Sequence, residues 1–233
     1  MNISIIIPVY HEEKNIVEVL TKIKNSVQTP HSILIIYDNT SDPTYSVVKK
    51  YQKKSKKNNI FLTKNSTGNG KGVMNAIKTG FSLAKSEYIV VLMADLSDDI
   101  SQIDKMYKLI VSGYDIVCAS RYMKGGEKIG GPVLKTILSK IAGLSLYYLF
   151  RIPTHDSTNA FKMYRRAIFN NITIQSTGGF EYSLEIIVKS FKKGYKITEI
   201  PTKWRDREEG KSNFKLLKWI PEYIKWYVRI LRN

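Results

Sequence analysis

Residues 88–94 form an unbroken apolar run that stops abruptly at acidic and small polar residues. A short continuous hydrophobic run is typical of a strand that is buried on both faces of a sheet. Asp95, Ser97 and Asp98 follow this run, so we place them at the carboxyl-terminal edge where open α/β folds bind ligands. Two interpretations of their oxygens stay open. They can hold a divalent cation that binds substrate phosphates, or they can cap the helix that follows.

Similar apolar runs recur through the first half of the chain, and helix-periodic segments separate them. The runs lie at residues 3–9, 32–37, 60–63, 88–94 and 115–122. This alternation predicts an α/β fold with a doubly wound, mostly parallel sheet. Three of the runs end in acidic or glycine-rich loops, one of which carries three glycines and Lys71. Because a glycine-rich turn before a helix can cradle a phosphate, these loops indicate a nucleotide pocket.

The second half of the chain has a different pattern. Residues 133–152 are apolar except for Lys135 and Lys140, a stretch that we expect to be too short and too charged to span a bilayer. It can lie in a membrane interface or pack on the sheet. Two more strands are expected at 154–164 and 195–204, with a helix at 182–191 between them.

The last segment, residues 214–231, combines apolar and aromatic side chains with lysines and arginines. This pattern fits a helix that lies in a membrane interface, and it also fits a helix docked on the core. No window reaches about 18 uncharged apolar residues, so we expect no transmembrane helix, and the start of the chain predicts no signal peptide.

The chain is strongly basic, with 37 lysines and arginines against 20 acidic residues and a net charge of +17. Nucleic acid, an anionic membrane surface or a phosphate-rich substrate could each explain this charge. We interpret the lysine run at 49–57 as a solvated helix face, and we expect no nucleic-acid partner. The single cysteine, Cys118, cannot form an internal disulfide, which indicates a reducing compartment.

Seven short motifs, in order from residue 3 to about residue 214, resemble those of glycosyltransferase family 2, and within it the polyprenyl- and dolichyl-phosphate sugar synthases. Each motif is moderately specific, and their common order makes the resemblance strong. The motifs are Pro8-Val-Tyr10-His11-Glu12, Ile36-Tyr37-Asp38-Asn39-Thr40-Ser41-Asp42, Asn69-Gly70-Lys71-Gly72, Met93-Ala94-Asp95, Ala119-Ser120-Arg121-Tyr122 with Gly125-Gly126, Asp156-Ser157-Thr158-Asn159-Ala160-Phe161-Lys162, and Asp206-Arg207-Glu208-Glu209-Gly210-Lys211-Ser212.

The resemblance implies a GT-A fold at residues 1–213, with a nucleotide-binding half at 1–122 and an acceptor half at 123–213. Residues 214–233 would form an amphipathic C-terminal helix. The implied activity is inverting transfer of a sugar from a nucleoside-diphosphate sugar to a polyprenyl (dolichyl) phosphate, assisted by Mg²⁺ or Mn²⁺.

The resemblance also implies roles for individual residues. The implied nucleotide-sugar-binding residues are Pro8, Tyr10, Glu12, Ile36, Asp38, Lys71, Ala94, Asp95 and Arg207. The implied metal-binding residues are Asp95, Ser97 and Asp98, the acceptor-phosphate residues are Arg121 and Lys135, and the catalytic residues are Asp95, Arg121 and Arg207. An acceptor phosphate is already ionised and needs no strong base, so we interpret His11, His31 and His155 as structural.

The chain departs from the family pattern where the chemistry lies. Met93 replaces a carboxylate of the metal motif, and its thioether is a poor ligand for Mg²⁺ or Mn²⁺. Glu181 and Asn213 replace lysines. Lys135 replaces an arginine, which keeps the charge and loses the forked geometry of the guanidinium.

We expect a cytoplasmic protein that is peripheral on the cytoplasmic face of an anionic membrane, held by amphipathic helices or by a membrane partner subunit. Two other functions stay open on the same fold. One is transfer to a glycan or a lipid-linked oligosaccharide, which would need a carboxylate base. The other is a catalytically silent nucleotide-sugar-binding subunit, which Met93 motivates.

Overall fold

Strands and helices alternate along the chain. The computed structural model describes residues 1–55, 58–207 and 216–230, the last range with side chains from residue 220 onward. The elements are β1 (Ile3–Val9), α1 (Ile16–Ser26), β2 (His31–Tyr37), α2 (Pro43–Ser55), β3 (Ile60–Lys64), α3 (Val73–Leu83), β4 (Tyr88–Val91), α4 (Ile103–Val111), β5 (Ile116–Ser120), β6 (Glu127–Ile129), α5 (Val133–Phe150), β7 (Lys162–Arg165), α6 (Glu181–Lys192), β8 (Ile197–Pro201), β9 (Lys203–Arg205) and α7 (Leu216–Arg229).

A seven-stranded sheet in the order β3-β2-β1-β4-β7-β5-β8 forms the centre of the fold, and β6 pairs separately with β9. Strand β7 runs antiparallel to both of its neighbours, whereas the other pairs in the large sheet are parallel. Helices α1, α2 and α4 contribute to the core on one face, and α3 and α6 contribute on the other. The predicted α/β fold with a mostly parallel, doubly wound sheet is therefore confirmed.

The apolar runs are buried because the sheet has a core on each face. All seven residues of β1 are buried, with Ile5 and Ile7 in one hydrophobic cluster and Ile6 in another. Burying a side chain of this size stabilises the fold by about 1.5–3 kcal/mol. The central run stays buried as far as Ala94 except at Met93, which is partly buried, although the strand itself ends at Val91.

The strand that we predicted at 154–164 is shorter than expected. Only Lys162–Arg165 joins the sheet, as β7. The preceding segment is a loop because its polar side chains bond to backbone and to one another. Asp156 receives hydrogen bonds from Arg121, and Asn159 Nδ2 donates to the Ala119 carbonyl at 2.9 Å.

Helix α5 lies on the surface and corrects our expectation about membrane-spanning segments. Gly143 and Leu146 are its buried residues. Several large apolar side chains along it are 56–73% exposed: Val133, Leu134, Ile141, Tyr148 and Leu149. By length and composition alone, α5 is long and apolar enough to cross a membrane, despite Lys135 and Lys140. By these two measures the expectation that this stretch is too short and too charged to span a bilayer is wrong, and the expectation of no transmembrane helix stays a prediction.

Helix α7 is docked on the core, at least along the face that carries Trp226. This side chain is 1% exposed and belongs to the same hydrophobic cluster as Leu184 and Val188 of α6. Lys189 and Arg229 place cations 4.8 Å and 4.4 Å from its ring centroid. Trp226 therefore packs in the core, so the aromatic residues of α7 do not all face a membrane. Residues 214–215 and 231–233 of the predicted C-terminal helix, and the side chains of residues 216–219, lie outside the described residues.

The close approach of α5 to the loop before β7 generates a stability prediction. A Cβ atom at Gly143 would lie 2.1 Å from the His155 carbonyl oxygen, so Gly143→Ala must push the helix outward. We expect a loss of about 1–3 kcal/mol in the free energy of unfolding, measured by urea denaturation. Lys140→Ala, at an exposed position of the same helix, is the control and should change little. An unchanged urea midpoint for Gly143→Ala would contradict this packing.

Candidate active site

The ends of β1 and β2 carry the first group of predicted residues. Tyr10 is exposed beyond the buried Pro8, and the Glu12 backbone N–H donates to Thr44 Oγ1 at 2.8 Å. Burial raises the pKa of Glu12, and the charge of Asp95 raises it further, while a hydrogen bond from Asn15 opposes both. The structure therefore places Glu12 within electrostatic reach of Asp95.

Asp38 ties the glycine-rich loop to the end of β2. One of its carboxylate oxygens accepts from Asn65 Nδ2 at 2.9 Å, and the other accepts from the Gly72 backbone N–H at 2.8 Å. Gly72 has a φ of 88°, in the left-handed region that favours glycine, so the loop can present its N–H to Asp38. Lys71, one residue earlier, is exposed at the same edge. Asp38 thus organises the loop on which the nucleotide pocket was predicted.

Two predicted nucleotide-binding residues lie in the core. Ile36 is fully buried among Ile6 and Ala76, and Ala94 is buried beneath the loop that follows β4. Their side chains pack the sheet, and any contact with a ligand would come from their backbone.

The loop after β4 brings Asp95 and Arg207 together. Asp95 Oδ1 accepts from Ser97 Oγ at 2.6 Å, and its Oδ2 accepts from Arg207 Nη2 at 2.7 Å. Leu96, which lies between Asp95 and Ser97 in the chain, has a φ of 61°, a strained backbone conformation for a residue with a side chain of this size. The backbone N–H of Arg205 donates to the Ser97 carbonyl at 3.0 Å, which anchors the end of β9 beside this loop.

Asp98 is a buried carboxylate that faces the same site. Burial raises its pKa to about 7, and the nearby charge of Asp95 acts in the same direction. The helix cap is formed by the next residue, Asp99, whose Oδ1 accepts from the Ser101 backbone N–H at 3.2 Å. Asp98 accepts a long hydrogen bond from the Met93 backbone N–H, at 3.5 Å, and buried carboxylate oxygens of this kind suit a hard divalent cation. Asp95 and Asp98 therefore fit the predicted metal, and Met93 lines the same pocket without a hard donor.

Arg121 forms a buried bidentate ion pair with Asp156. Its Nε donates to Oδ2 at 2.6 Å, and its Nη2 donates to Oδ1 at 2.9 Å. Burial alone would raise the pKa of Asp156, but the charge and hydrogen bonds of Arg121 prevail and hold it below its usual value. One bidentate face of the guanidinium, formed by Nε and Nη2, is thus already committed to Asp156. The sequence motif contained Asp156, but its pairing with Arg121 was not predicted.

Glu181, which replaces a lysine of the family pattern, caps the turn at the start of α6. Its two carboxylate oxygens accept from the backbone N–H groups of Gly178 and Gly179 at 2.8 Å and 2.7 Å. The side chain is fully buried. Its carboxylate stabilises the local fold by accepting hydrogen bonds from backbone N–H groups.

A cavity of about 430 Å³ adjoins Asp95 and extends between α5 and α7; we call it the central pocket. Its polar end and its apolar end differ sharply in chemistry. The polar end is lined by Asp95, Ser97, Asp98, Arg121, Lys128, Lys135 and Arg207, and the apolar end by Leu138, Ile141, Ala142, Leu184, Ile220 and Ile224. Lys128 and Trp204 line it as well, and neither was predicted from the sequence.

The charges at the polar end influence one another. Burial lowers the pKa of Lys135, and the charges of Arg121, Lys128 and Arg207 lower it further. Repulsion among cations in a partly buried site would be relieved by a bound anion. The polar end of the pocket is therefore suited to an anionic ligand.

A second group of possible metal ligands lies at the loops after β1 and β2. Ligand atoms of His11, Glu13 and Asp42 all lie within 4.8 Å of one another. Both oxygens of Asp42 already accept backbone N–H groups, from Thr44 at 2.8 Å and from His11 at 2.9 Å. These bonds hold the start of α2 against the β1 loop, and they engage His11 through its backbone N–H.

The fold and this site define a glycosyltransferase of the GT-A type. The family model described as "Glycosyl transferase family 2" matches residues 4–173. The chain belongs to glycosyltransferase family 2, which confirms the resemblance found in the motifs.

Curated relatives agree with this placement. A dolichol-phosphate mannosyltransferase from Pyrococcus furiosus is 29% identical over 237 residues, which cover 100% of this chain and 64% of the relative. A polyprenol monophosphomannose synthase from Mycolicibacterium smegmatis is 22% identical over 228 residues, with 92% and 85% covered. The chain therefore spans less than two thirds of the length of the Pyrococcus protein.

Solved structures share the fold at low sequence identity. Glucosyl-3-phosphoglycerate synthase from Mycobacterium tuberculosis, in complex with UDP, has a TM-score of 0.70 at 13% identity and covers 98% of this chain and 79% of its own. The same enzyme has also been crystallised with Mn²⁺, UDP and glucosyl-3-phosphoglycerate, and with Mg²⁺ and UDP. S. aureus TarS 1-349 in complex with UDP has a TM-score of 0.64 at 18% identity, covering 100% of this chain and 66% of its own.

The Arg121–Asp156 pair generates a prediction about stability. Asp156→Asn leaves a buried guanidinium without its counter-charge, so we expect a loss of about 3–5 kcal/mol in the free energy of unfolding, measured by urea denaturation. The control is Glu87→Gln, which removes the surface partner of Arg165 at 2.7 Å and should cost at most about 1 kcal/mol. Equal effects of the two substitutions would show that the buried pair is not specially important.

Proposed function

We propose that the protein transfers a sugar from a nucleoside-diphosphate sugar to a polyprenyl phosphate at a membrane surface, with inversion at the anomeric carbon. The observation that carries this proposal is the chemistry of the central pocket. Its cationic end adjoins Asp95 and suits phosphates, and its apolar end between α5 and α7 suits a hydrocarbon chain. The names of the two curated relatives support the same acceptor class.

In this proposal the nucleoside diphosphate binds along the edge formed by the ends of β1, β2 and β4. Glu12 and Asp38 lie at the nucleoside side, and Asp38 holds the loop that carries Lys71. Arg207, which pairs with Asp95, is placed to bind the diphosphate as negative charge develops on it. Residues 1–122 would thus form the nucleotide half and residues 123–213 the acceptor half of one domain.

Asp95 and Asp98 would hold Mg²⁺ or Mn²⁺, with Ser97 beside them. When bound, the ion supplies positive charge that stabilises the leaving diphosphate. The protein itself contributes Arg207 from the other side of Asp95. Met93 replaces one carboxylate of the metal motif, and Asp98 would supply the second beside Asp95. Mg²⁺ commonly uses one or two carboxylates alongside substrate phosphates.

The acceptor would attack directly, without a protein base. An oxygen of the lipid phosphate forms a bond to the anomeric carbon as the bond to the diphosphate oxygen breaks, and a single displacement inverts the configuration. The acceptor oxygen is already ionised, so no proton has to be removed. In agreement, none of the three histidines lines the central pocket: His31 bonds to the Thr29 carbonyl, and His155 bonds to Glu199.

We also propose that the protein is cytoplasmic and binds the cytoplasmic face of a membrane through α5, directly or with a partner subunit. The exposed apolar side chains of α5 and the exposed Ile224 and Val228 of α7 support this proposal. The net charge of +17 adds attraction to anionic lipids, worth about 1 kcal/mol for each basic residue near the surface.

A transfer assay tests the activity. Radiolabelled sugar from a panel of nucleotide sugars should move to polyprenyl phosphate, and the rate should fall when Mn²⁺ and Mg²⁺ are removed. Asp95→Ala should abolish transfer, whereas Asp99→Ala, which removes a nearby helix cap, should keep most of it. Near-normal turnover of Asp95→Ala at limiting metal would overturn the metal assignment. Transfer to a glycan in place of the lipid would favour the other acceptor class.

A vesicle assay tests the membrane surface. The intact protein should sediment with anionic vesicles at low salt and dissociate as ionic strength rises, because salt screens surface charges. The double variant Leu134→Glu, Leu149→Glu should lose sedimentation, since it charges the exposed face of α5. The double variant Phe61→Glu, Leu83→Glu, at exposed positions of β3 and α3, is the control matched in charge. Equal binding by all three proteins would exclude α5 as the membrane contact.

A further inference from the structure

Tyr223 lies on α7, in the wall of the central pocket, and outside every motif that pointed to the family. It also lies outside residues 4–173, which the family model matches. The side chain packs against the hydrophobic cluster that α6 and α7 share, and it is only partly buried. Its hydroxyl bonds to none of the residues that the structure describes. The phenol therefore presents an unused donor and acceptor to the pocket.

The charges near Tyr223 place its side chain at the polar end of the pocket. Burial raises the pKa of the phenol above its usual value, the charge of Glu181 raises this pKa further, and the charge of Arg121 opposes both effects. Both charged neighbours are engaged elsewhere, Glu181 with backbone N–H groups at the start of α6 and Arg121 with Asp156. Because its pKa is raised, the Tyr223 hydroxyl keeps its proton and stays uncharged at neutral pH.

Other uncharged polar side chains in the pocket wall already have partners within the protein. These side chains are Ser97, Ser139, Ser145, Thr158 and Asn159, and each bonds to another described residue. Tyr227, one turn further along α7, meets the ring of Phe150 edge-on at the end of α5, with ring centroids 6.0 Å apart. Within the described part of the chain, Tyr223 therefore supplies the uncharged hydroxyl that remains for a ligand at the polar end.

The position of this hydroxyl fits the sugar of a nucleotide sugar. In the proposed reaction the sugar lies between the diphosphate at Asp95 and the attacking acceptor, so it enters the same polar end of the pocket. Phosphate groups are anionic and suit the cations that line this end. A sugar offers uncharged hydroxyl groups, which suit a side chain that can both donate and accept a hydrogen bond.

We propose that the Tyr223 hydroxyl hydrogen-bonds a hydroxyl group of the sugar in the bound nucleotide sugar and thereby contributes to the choice of sugar. This inference rests on the proposed function for the class of donor. It does not require transfer, because a nucleotide sugar can bind without reacting. A sugar that lacks this hydroxyl, or that presents it in another configuration, leaves the phenol unpaired and binds less tightly.

The test uses the full chain and the variant Tyr223→Phe, which keeps the ring and removes the hydroxyl alone. Tyr51→Phe makes the same change on α2, in the hydrophobic cluster on the other face of the sheet, and is the matched control. The probes are UDP-glucose, UDP-N-acetylglucosamine and GDP-mannose, each compared with UDP or GDP by calorimetry in the presence of Mn²⁺. The ratio of the two dissociation constants, nucleotide over nucleotide sugar, measures the contribution of the sugar.

Loss of an uncharged hydrogen bond should lower this ratio by about three- to tenfold in Tyr223→Phe, for the sugar that the wild type prefers. Binding of UDP, GDP and farnesyl phosphate and the urea midpoint should not change, and Tyr51→Phe should match the wild type. An unchanged ratio in Tyr223→Phe would overturn the inference. Equal weakening of the free nucleotide, or weaker binding of farnesyl phosphate, would overturn it too, by assigning the hydroxyl to a phosphate.

Deoxy analogues of the preferred nucleotide sugar identify the sugar hydroxyl involved. The analogue that lacks this hydroxyl should bind equally tightly to the wild type and to Tyr223→Phe, because loss of either partner removes the same hydrogen bond. For the other analogues, Tyr223→Phe should remain weaker than the wild type. If every deoxy analogue lost the same factor in both proteins, the two changes would be independent and the proposed contact would be excluded.

The radiolabel transfer assay separates this inference from the proposed function. Sugar binding that depends on Tyr223, without transfer to polyprenyl phosphate, would support the inference and overturn the proposed activity. Transfer by the wild type, with an unchanged ratio in Tyr223→Phe, would leave the activity in place and overturn the role of Tyr223. A wild type that binds no nucleotide sugar would overturn both.

Discussion

The buried ion pair between Arg121 and Asp156 connects the parts of the molecule that form the site. Asp156 also accepts the backbone N–H groups of Arg121 and Asn159, at 3.1 Å and 3.2 Å. It thereby joins the end of β5 to the loop that leads into the antiparallel strand β7. A carboxylate with this many donors offsets the cost of burying two charges, and losing either partner would leave the other uncompensated. This contact therefore holds Arg121 and Asn159 in the wall of the central pocket.

Once Arg121 is neutralised by Asp156, the remaining charges of the site acquire distinct roles. Asp95 and Asp98 are close enough for one to raise the pKa of the other, which favours a cation between protein and diphosphate. Lys128 and Lys135 line the same polar end of the central pocket as Asp95 and Arg207. In the proposed function, the carboxylates would hold the metal and the cations would bind phosphate groups within this one polar end.

The sequence predicted the parts of the fold that depend on local pattern and missed those that depend on long-range pairing. The continuous apolar runs of β1 and β4 indicated a two-faced sheet, because burial on both faces leaves no polar alternation. Three features depend on contacts between distant segments: the loop that precedes the short strand β7, the pairing of Arg121 with Asp156, and the buried position of Trp226. The same limit applies to the site: Asp95 follows directly from its strand, whereas Lys128 depends on Trp204, 76 positions later, and carries no motif.

Helix α5 joins the proposed membrane surface to the proposed acceptor site. Leu138 and Ile141 line the central pocket, while Leu134 and Leu149 lie exposed on the same helix. Only a small part of α5 is buried, around Gly143 and Leu146, so most of its apolar surface needs another environment. If that environment is a bilayer, a lipid phosphate can reach the polar end of the central pocket along α5 while its hydrocarbon chain stays in contact with apolar surface. Burying the chain in the pocket then replaces its burial in the membrane, and the cations supply the specific part of the binding energy.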